Sequence, residues 1–591
     1  MSPAAPSLPF DAAAHARRVA LQLLGLAGLF WLARLVLLGW VCTDPTIGLH
    51  VDEAQYWHWS RDLQWGYYSK PPMVALLIAL STALGGDGLI GVKWLVMATH
   101  PLAAAVTGWL AYAMTRAAFA QARGSEALTD ATQAEATLAW RVALAAALIV
   151  VTSPMMSLLG MAATTDGPLM LTWALAAGLG WRLVHSGRRG DAVALGIVLG
   201  LGVLSKYTFL ALAPTLAIWV LWPTAPGLAT RRERWFTMGL AAGIALAICL
   251  PHILWNASHG WPTVRHTLDI TVQQAEYAPQ AAAAGWRGFA EFVGGQILMF
   301  GPMCLVLLRW GRATPVGASG SAAAAWSAGW GRQRAMALSL SLPLLAVGLA
   351  QAAASKAQIN WTAPAVVGIA LALSLWWGQR AASAQRADAT GGEPMRPVLS
   401  RAALAVLALQ FVGASLAVVA SVGRIDSVKA DLWSRMRGWD VAFRPLQPQV
   451  QAHLAAHPGA QVIALDRTVL VQAAYAWRDL HQVNWLAWRE PGARWAQHHY
   501  ELVTRWAEPG SAAARAPVLI LAAGTEADGL PQHLRDRLGP LQALARVERP
   551  QIRGEHTTYT LWRAQRLDSA EAAQPASAAA ATEAGVSGPI R

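Results

Sequence analysis

Between residues 20 and 421 the chain repeats one pattern: about 20 apolar residues, then a short loop, usually with arginine. A helix of that length satisfies its own backbone hydrogen bonds, which is the condition for crossing a bilayer. The pattern places spans near 20–42, 88–113, 141–160, 166–184, 191–205, 206–223, 235–254, 291–308, 335–352, 361–377 and 402–421. That gives a polytopic, mainly α-helical membrane protein with about eleven crossings. Residues 73–85 are apolar but too short to cross, and read as a helix lying in the interface.

Charge checks the count. With the N-terminus inside, the inner loops are 114–140, 182–190, 224–234, 309–334 and 378–401, and every one carries arginine. The outer loops 43–87, 161–165, 255–290 and 353–360 are poorer in Arg and Lys. A full crossing at 73–85 would invert every later loop, which supports the interfacial reading. The net charge of +13 therefore reflects topology rather than nucleic-acid binding. Only 13% of residues are charged, about half the share in a soluble protein. The three cysteines, Cys42, Cys249 and Cys304, lie in or beside apolar segments and suggest neither a disulfide framework nor a zinc site. The first span follows a basic patch (His15, Arg17, Arg18) with no small-residue cleavage site, so it reads as retained.

Within the spans, 191–205 is short and carries Gly196, Gly200 and Gly202, which would let a neighbouring helix approach closely. The Gly, Ser and Ala-rich loop at 315–330 reads as flexible. After residue 421 the composition changes. Val462–Leu465, Val518–Leu521 and Thr557–Trp562 read as strands, and 444–457, 468–477 and 530–545 as helical patterns. The expected organisation is a cytoplasmic tail at 1–19, a membrane domain at 20–421, a soluble α/β domain at 424–566 on the outer side, and a disordered Ala-rich tail at 567–591.

Candidate chemistry gathers on the outer side. Asp52 and Glu53 are adjacent acids just beyond the first span, flanked by His50 and Tyr56. One carboxylate there could take a proton from an attacking hydroxyl while the other orients a partner; the plain alternative is an acidic helix start. Trp57, Trp59, Trp65, Tyr67 and Tyr68 form an aromatic belt that could also stack on a sugar ring. Lys70 precedes Pro71-Pro72, a rigid corner that would hold an ammonium at headgroup depth, where it could meet a phosphate. Asp166 starts a span, either as a helix cap or as a third carboxylate of the same cavity. Lys206 lies between two apolar runs, where a lone lysine either snorkels or serves a site. His259, Arg265 and His266 occupy an outer loop and could meet an anion. Asn256-Ala257-Ser258 there fits a glycosylation sequon, a weakly specific pattern.

Taken together, these motifs resemble the GT-C membrane glycosyltransferases, and in particular glycosyltransferase family 39, with its protein O-mannosyltransferases and lipid A aminoarabinose transferase. The carriers are Asp52-Glu53-Ala-Gln-Tyr-Trp, Gly66-Tyr67-Tyr68-Ser69-Lys70-Pro71-Pro72, Thr165-Asp166-Gly167-Pro168, Gly202-Val-Leu-Ser205-Lys206-Tyr207-Thr208 and Asn360-Trp361. The resemblance implies a polyprenyl-phosphate sugar donor and an acceptor hydroxyl on a lipid, glycan or protein, at the periplasmic face of a bacterial inner membrane. It matches Asp52 to the acid at the reaction centre, Lys70 to a lysine near the lipid phosphate and Asp166 to an acid near the site. Lys206 is expected to assist at the phosphate, and Tyr56, Tyr67, Tyr68 and Arg265 to contact substrate. The lipid A transferases carry a metal-linked Glu before Lys-Pro-Pro; here Ser69 stands in that place, so no metal or other cofactor is required by the pattern. A transporter or flippase is the competing class, and would want mid-membrane charges and repeat symmetry.

Overall fold

The structure is a computed structural model and describes residues 11–123, 132–223, 229–269, 281–301, 321–354, 357–387, 398–423, 431–480, 483–493, 496–508, 510–551 and 554–567. The N-terminal residues 1–10, the segment 302–320 with Cys304, and nearly all of the expected Ala-rich tail lie outside the described residues. The chain forms two units. One comprises Met1–Trp40 with Ser60–Ala420, the other Val41–Trp59 with Ser421–Arg591.

The first unit is helical. Among the described residues, seven of its helices are long and apolar enough to cross a membrane: Ala12–Val41, Leu89–Gln121, Gln133–Thr152, Arg231–Ser258, Trp326–Ala354, Ala365–Ala384 and Arg401–Ser421. The chain is an integral membrane protein. The 21-residue helix Asp166–Ser186 and shorter helices at Arg189–Ser205 and Ala213–Leu221 cover three of the other expected spans, the last preceded by a 3-10 turn at Tyr207–Leu212; the helix Ala281–Phe300 covers the start of the expected span 291–308, whose residues 302–308 lie outside the described residues. Met73–Gly85 is a separate 13-residue apolar helix. Local chemistry sets several boundaries. Thr132 and Glu135 form a capping box that starts Gln133–Thr152, and Pro154 opens a new short helix just after it. That is why the expected span 141–160 is displaced toward the N-terminus.

Large buried side chains and small residues build the core together. Trp173, Trp219 and Trp330 are buried among Leu, Val and Ala from several helices. A Cβ at Gly196 would meet Ile244 Cβ at 2.7 Å, and one at Gly200 would meet Ile248 Cβ at 2.8 Å. These glycines let Arg189–Ser205 lie directly against Arg231–Ser258, as their spacing suggested. The flexible loop expected at 315–330 needs correction: residues 321–330 belong to the helix Ser321–Ser339. Its alanines favour helix, and Trp326 and Trp330 pack their rings on Phe119 at 5.6 and 5.5 Å.

The second unit holds a five-stranded mixed sheet with strands β1 (Gln461–Ala464), β2 (Asn484–Ala487), β3 (Val518–Ala523), β4 (Gln542–Pro550) and β5 (His556–Ala564), in the order β2-β1-β3-β5-β4. β1 pairs parallel with β2 and β3, while β5 runs antiparallel between β3 and β4. The helical pattern expected at 530–545 is replaced by a four-residue helix, Gln532–Arg535, and by β4. Pairing with β5 outweighs local helix preference there, and β4's exposed alternate residues had hidden its strand character.

The membrane domain expected at 20–421 is also interrupted. Val41–Trp59 belongs with the sheet-bearing unit, held by Arg437, whose fully buried guanidinium pairs with Asp44 at 2.5 Å and with Asp431. Arg437 Nη1 also donates to Thr46 Oγ1 at 2.9 Å, and Ile47 bridges to Arg437 through the backbone. Burial alone would raise the Asp44 carboxyl; hydrogen bonds from Thr46, Arg437 and the Gly423 amide hold it down to about 2.

Candidate functional site

In the helical unit, the segment Trp65–Lys70 is fastened by its own main chain. His252 Nδ1 lies 2.7 Å from the Trp65 carbonyl, and Thr263 Oγ1 donates to the Tyr67 carbonyl at 2.9 Å. The Tyr67 amide donates to the Lys70 carbonyl at 3.2 Å, closing a turn that ends at the lysine. Gly66 is required: a Cβ there would enter the rings of Trp255 and His252. The Tyr67 ring is fully buried, with its hydroxyl donating to the Asp62 carbonyl at 3.2 Å and accepting from the Gln64 amide at 3.1 Å. Burial pushes its phenol up to about 12, so it remains neutral and acts as a fixed strut. Tyr68 is half-buried and packs against His266, ring centroids 5.1 Å apart.

The clamp is built by the end of Arg231–Ser258 and the turn after it. Trp261 adopts a left-handed backbone (φ 60°), rare for a large side chain, directly after Gly260 (φ 76°). The Trp261 amide donates to the Asn256 carbonyl at 2.7 Å, and the Thr263 amide to Asn256 Oδ1 at 3.3 Å. This turn delivers Thr263 to Tyr67 and starts the short helix Pro262–Leu268, which carries half-buried Arg265. Asn256 is 2% exposed, so the sequon it opens is spent on packing. Tyr207, the residue after Lys206, joins the same cluster with its hydroxyl 2.5 Å from His252 Nε2.

A second arrangement in this unit joins Lys206 to Asp166. Lys206 breaks helix between Ser205 and Tyr207 with extended backbone (φ −165°, ψ 137°). Its Nζ reaches Asp166 Oδ1 at 2.7 Å, and Asn360 Nδ2 donates to Asp166 Oδ2 at 3.1 Å. Both charged side chains are buried, at 11% and 5% exposure. Asp166 is thus engaged by side chains from two other parts of the chain, while Thr165 at the cap position makes no side-chain cap. Gly167 lets His100 and Thr99 pack beside this helix start.

In the sheet-bearing unit, Asp52 and Glu53 open the helix Val51–Trp59 and have different surroundings. Glu53 is fully buried, and its Oε2 accepts the His50 amide at 2.9 Å, the reach-back contact of a helix start. Asp52 is 42% exposed; Arg467 Nη1 lies 3.3 Å from its Oδ1 and His50 Nδ1 lies 3.8 Å from its Oδ2. Tyr56 is buried and tilted against Trp59 at 5.3 Å. Trp57 meets Tyr475 edge-on at 5.1 Å, and Trp59 meets His499 at 5.4 Å, so these aromatics pack rather than lie open.

Sequence reasoning passed over His252, Thr263 and Arg467, and read Asn256 only as the start of a sequon. His252 sits inside an expected span and Thr263 in an expected outer loop, with nothing to mark them; Arg467 follows the N-cap Asp466 and reads as an ordinary first-turn residue. Among the described residues no group of three or more His, Cys, Asp or Glu is placed to hold a metal ion, and Ser69 offers a weaker ligand than a carboxylate.

Comparison with known proteins follows the same line. The family model for dolichyl-phosphate-mannose-protein mannosyltransferase matches residues 131–255. The lipid A galacturonosyltransferase RgtD of Rhizobium johnstonii is 32% identical over 282 residues, 48% of this chain and 52% of the relative. The matched stretch thus spans about half of that relative's length. The crystal structure of ArnT from Cupriavidus metallidurans bound to undecaprenyl phosphate has the same fold, with a TM-score of 0.50 at 16% identity over 91% of this chain and 98% of that one. The likeness in sequence is confined to part of the chain, whereas the likeness in fold to the ArnT structure runs through nearly all of it.

Proposed function

We propose that this protein is a membrane glycosyltransferase that moves a sugar from a polyprenyl-phosphate donor to a hydroxyl of a lipid, glycan or protein, with inversion, at the periplasmic face of a bacterial inner membrane. The observation that carries the reading is the pinned Trp65–Lys70 turn: three main-chain hydrogen bonds and the close packing at Gly66 hold a lysine at a fixed place beside the end of a membrane-length helix. A flexible lysine would lose rotamer freedom on binding; one whose backbone is already fixed loses less. The relatives' names supply the substrate class. One acts on lipid A, and another was solved with undecaprenyl phosphate.

In this reading the acceptor oxygen attacks the anomeric carbon and the bond from that carbon to the lipid phosphate breaks. The phosphate departs with the bonding electrons, and the Lys70 ammonium meets its growing charge. Asp52 takes the acceptor's proton. Glu53 fixes the start of the helix that carries Asp52. Asp166 and Lys206 hold the membrane helices around the donor as a pair, Lys206 acting through Asp166. Tyr68 and Arg265 line the donor side, Tyr67 braces the turn that carries Lys70, and Tyr56 supports Asp52. No metal enters the scheme.

The test is lipid and glycan mass spectrometry of cells carrying the wild type, Asp52→Asn, Lys70→Met or an empty vector. One sugar increment present with the wild type and lost in both variants is expected. An unchanged profile with well-expressed variants overturns the assignment of those residues. A lipid that accumulates without any sugar increment favours transport instead.

A further inference from the structure

Asp52 is held by more than its own helix. Arg467 lies at the first position of the helix Arg467–Ala476, directly after β1, the strand flanked on both sides by parallel neighbours. Asp466 caps that helix, accepting from the Thr468 and Val469 amides at 2.6 and 3.4 Å, which fixes where Arg467 begins. The same helix grips the segment around Asp52 at three levels. Gln472 Nε2 donates to the Leu49 carbonyl at 3.0 Å, Arg467 Nη1 donates to Gln55 Oε1 at 2.6 Å, and Tyr475 packs on Trp57. Gln55 is 2% exposed, so its amide is a rigid acceptor that orients the guanidinium toward Asp52.

We infer that Arg467, a residue of the sheet-bearing unit, is a positioning residue for the Asp52 carboxylate. The inference rests on the function proposed above. The contact is poorly suited to a stabilising role. Its side chains are 33% and 42% exposed, and an ion pair in that setting contributes about 0–1 kcal/mol. It is well suited to orientation: Arg467 Nη1 both donates to Gln55 and faces Asp52 Oδ1, so the buried amide fixes the direction from which the cation meets the carboxylate, and Oδ2, 3.8 Å from His50, is turned away from it. A displacement of about 1 Å at a reacting group costs about 10²-fold in rate.

The experiment uses the full chain in cell membranes and measures the rate at which the sugar increment appears, at limiting and saturating acceptor. Arg467→Met is expected to lower the saturated rate by about 10²-fold with little change in the acceptor concentration at half rate. Arg467→Lys, which keeps the charge but on a shorter side chain that does not place its nitrogen where Nη1 meets Gln55 and Asp52, should recover part of it. In an Asp52→Asn background, Arg467→Met should cause no further loss, because the residue acts through that carboxylate. Arg444→Met, which breaks the exposed Arg444–Asp479 pair of the same unit, should keep the wild-type rate. Losses from Arg467→Met and Asp52→Asn that multiply, or a full rate in Arg467→Met, would overturn the inference while leaving the transferase reading intact. Absence of any increment in the wild type relative to an empty vector would remove both.

Discussion

Two aspartates, each facing a cation, make the instructive comparison in this molecule. Asp166 and Lys206 are sealed inside the helical unit at 2.7 Å, with Asn360 completing the carboxylate's shell. Asp52 and Arg467 meet at 3.3 Å in the sheet-bearing unit with more than a third of each exposed or nearly so. A sealed pair is strongly committed: removing either partner strands a charge in low dielectric. An open pair costs little to break and leaves an oxygen available to other molecules. On the proposed function, the sealed pair would hold the fold and the open one would serve the chemistry.

The largest expected effect is on the open aspartate. Asp52→Asn should lower transfer by about 10²–10⁴-fold while thermal unfolding in detergent stays near the wild type, since exposed pairs contribute little to stability. Retained transfer would erase the distinction between the two sites. Lys206→Met should do the reverse, destabilising the helical unit by about 3–5 kcal/mol as read from denaturant unfolding. Replacing both partners, as Asp166→Asn with Lys206→Met, should recover much of that loss; a double variant as unstable as the single one would argue that the lysine is held for binding. Gly66→Ala should cost about 1–3 kcal/mol through overpacking against Trp255 and His252, and transfer should fall with it because Lys70 is displaced.

The smallest effect is a pH slope in the sheet-bearing unit. Burial first, then the Arg467 charge, lowers the His498 imidazole to about 4, against a small opposing pull from Asp466. The unfolded chain binds this proton more readily, so the stabilisation is complete above about 6.5 and is lost as pH falls from there through 4. Asp44 acts in a separate window. Its folded value of about 2 gives stability that is present above the unfolded carboxyl range and disappears only as pH drops toward 2. Unfolding followed from pH 7 to 4 should be less steep in His498→Gln, whereas Asp44→Asn should leave that slope alone.

Much of the membrane architecture was legible because bilayer physics writes it in one dimension. Apolar length and arginine in the loops located the helical segments, and Gly196 and Gly200 announced a close helix contact. The candidate residues were legible as types near the right ends of segments. Their partners were not. Asn360 and Lys206 converge on Asp166 only through packing, and Thr263 reaches Tyr67 only because Trp261 accepts a left-handed backbone. Val41–Trp59 looked like a loop after a span; its membership in the sheet-bearing unit depends on Arg437, a residue whose burial no local pattern reports.

That membership has a consequence for biosynthesis. The helix bearing Asp52 leaves the ribosome early, yet Asp431, Arg437 and Arg467, which fix it, are made after every one of the seven membrane-length helices. At about 5–20 residues per second, the interval is tens of seconds. Throughout it the acidic segment waits without its scaffold, so a nascent or prematurely terminated polypeptide has a complete set of early helices and no organised acid. The acidic segment gains its partners only once the residues from Asp431 to Arg467 have been made.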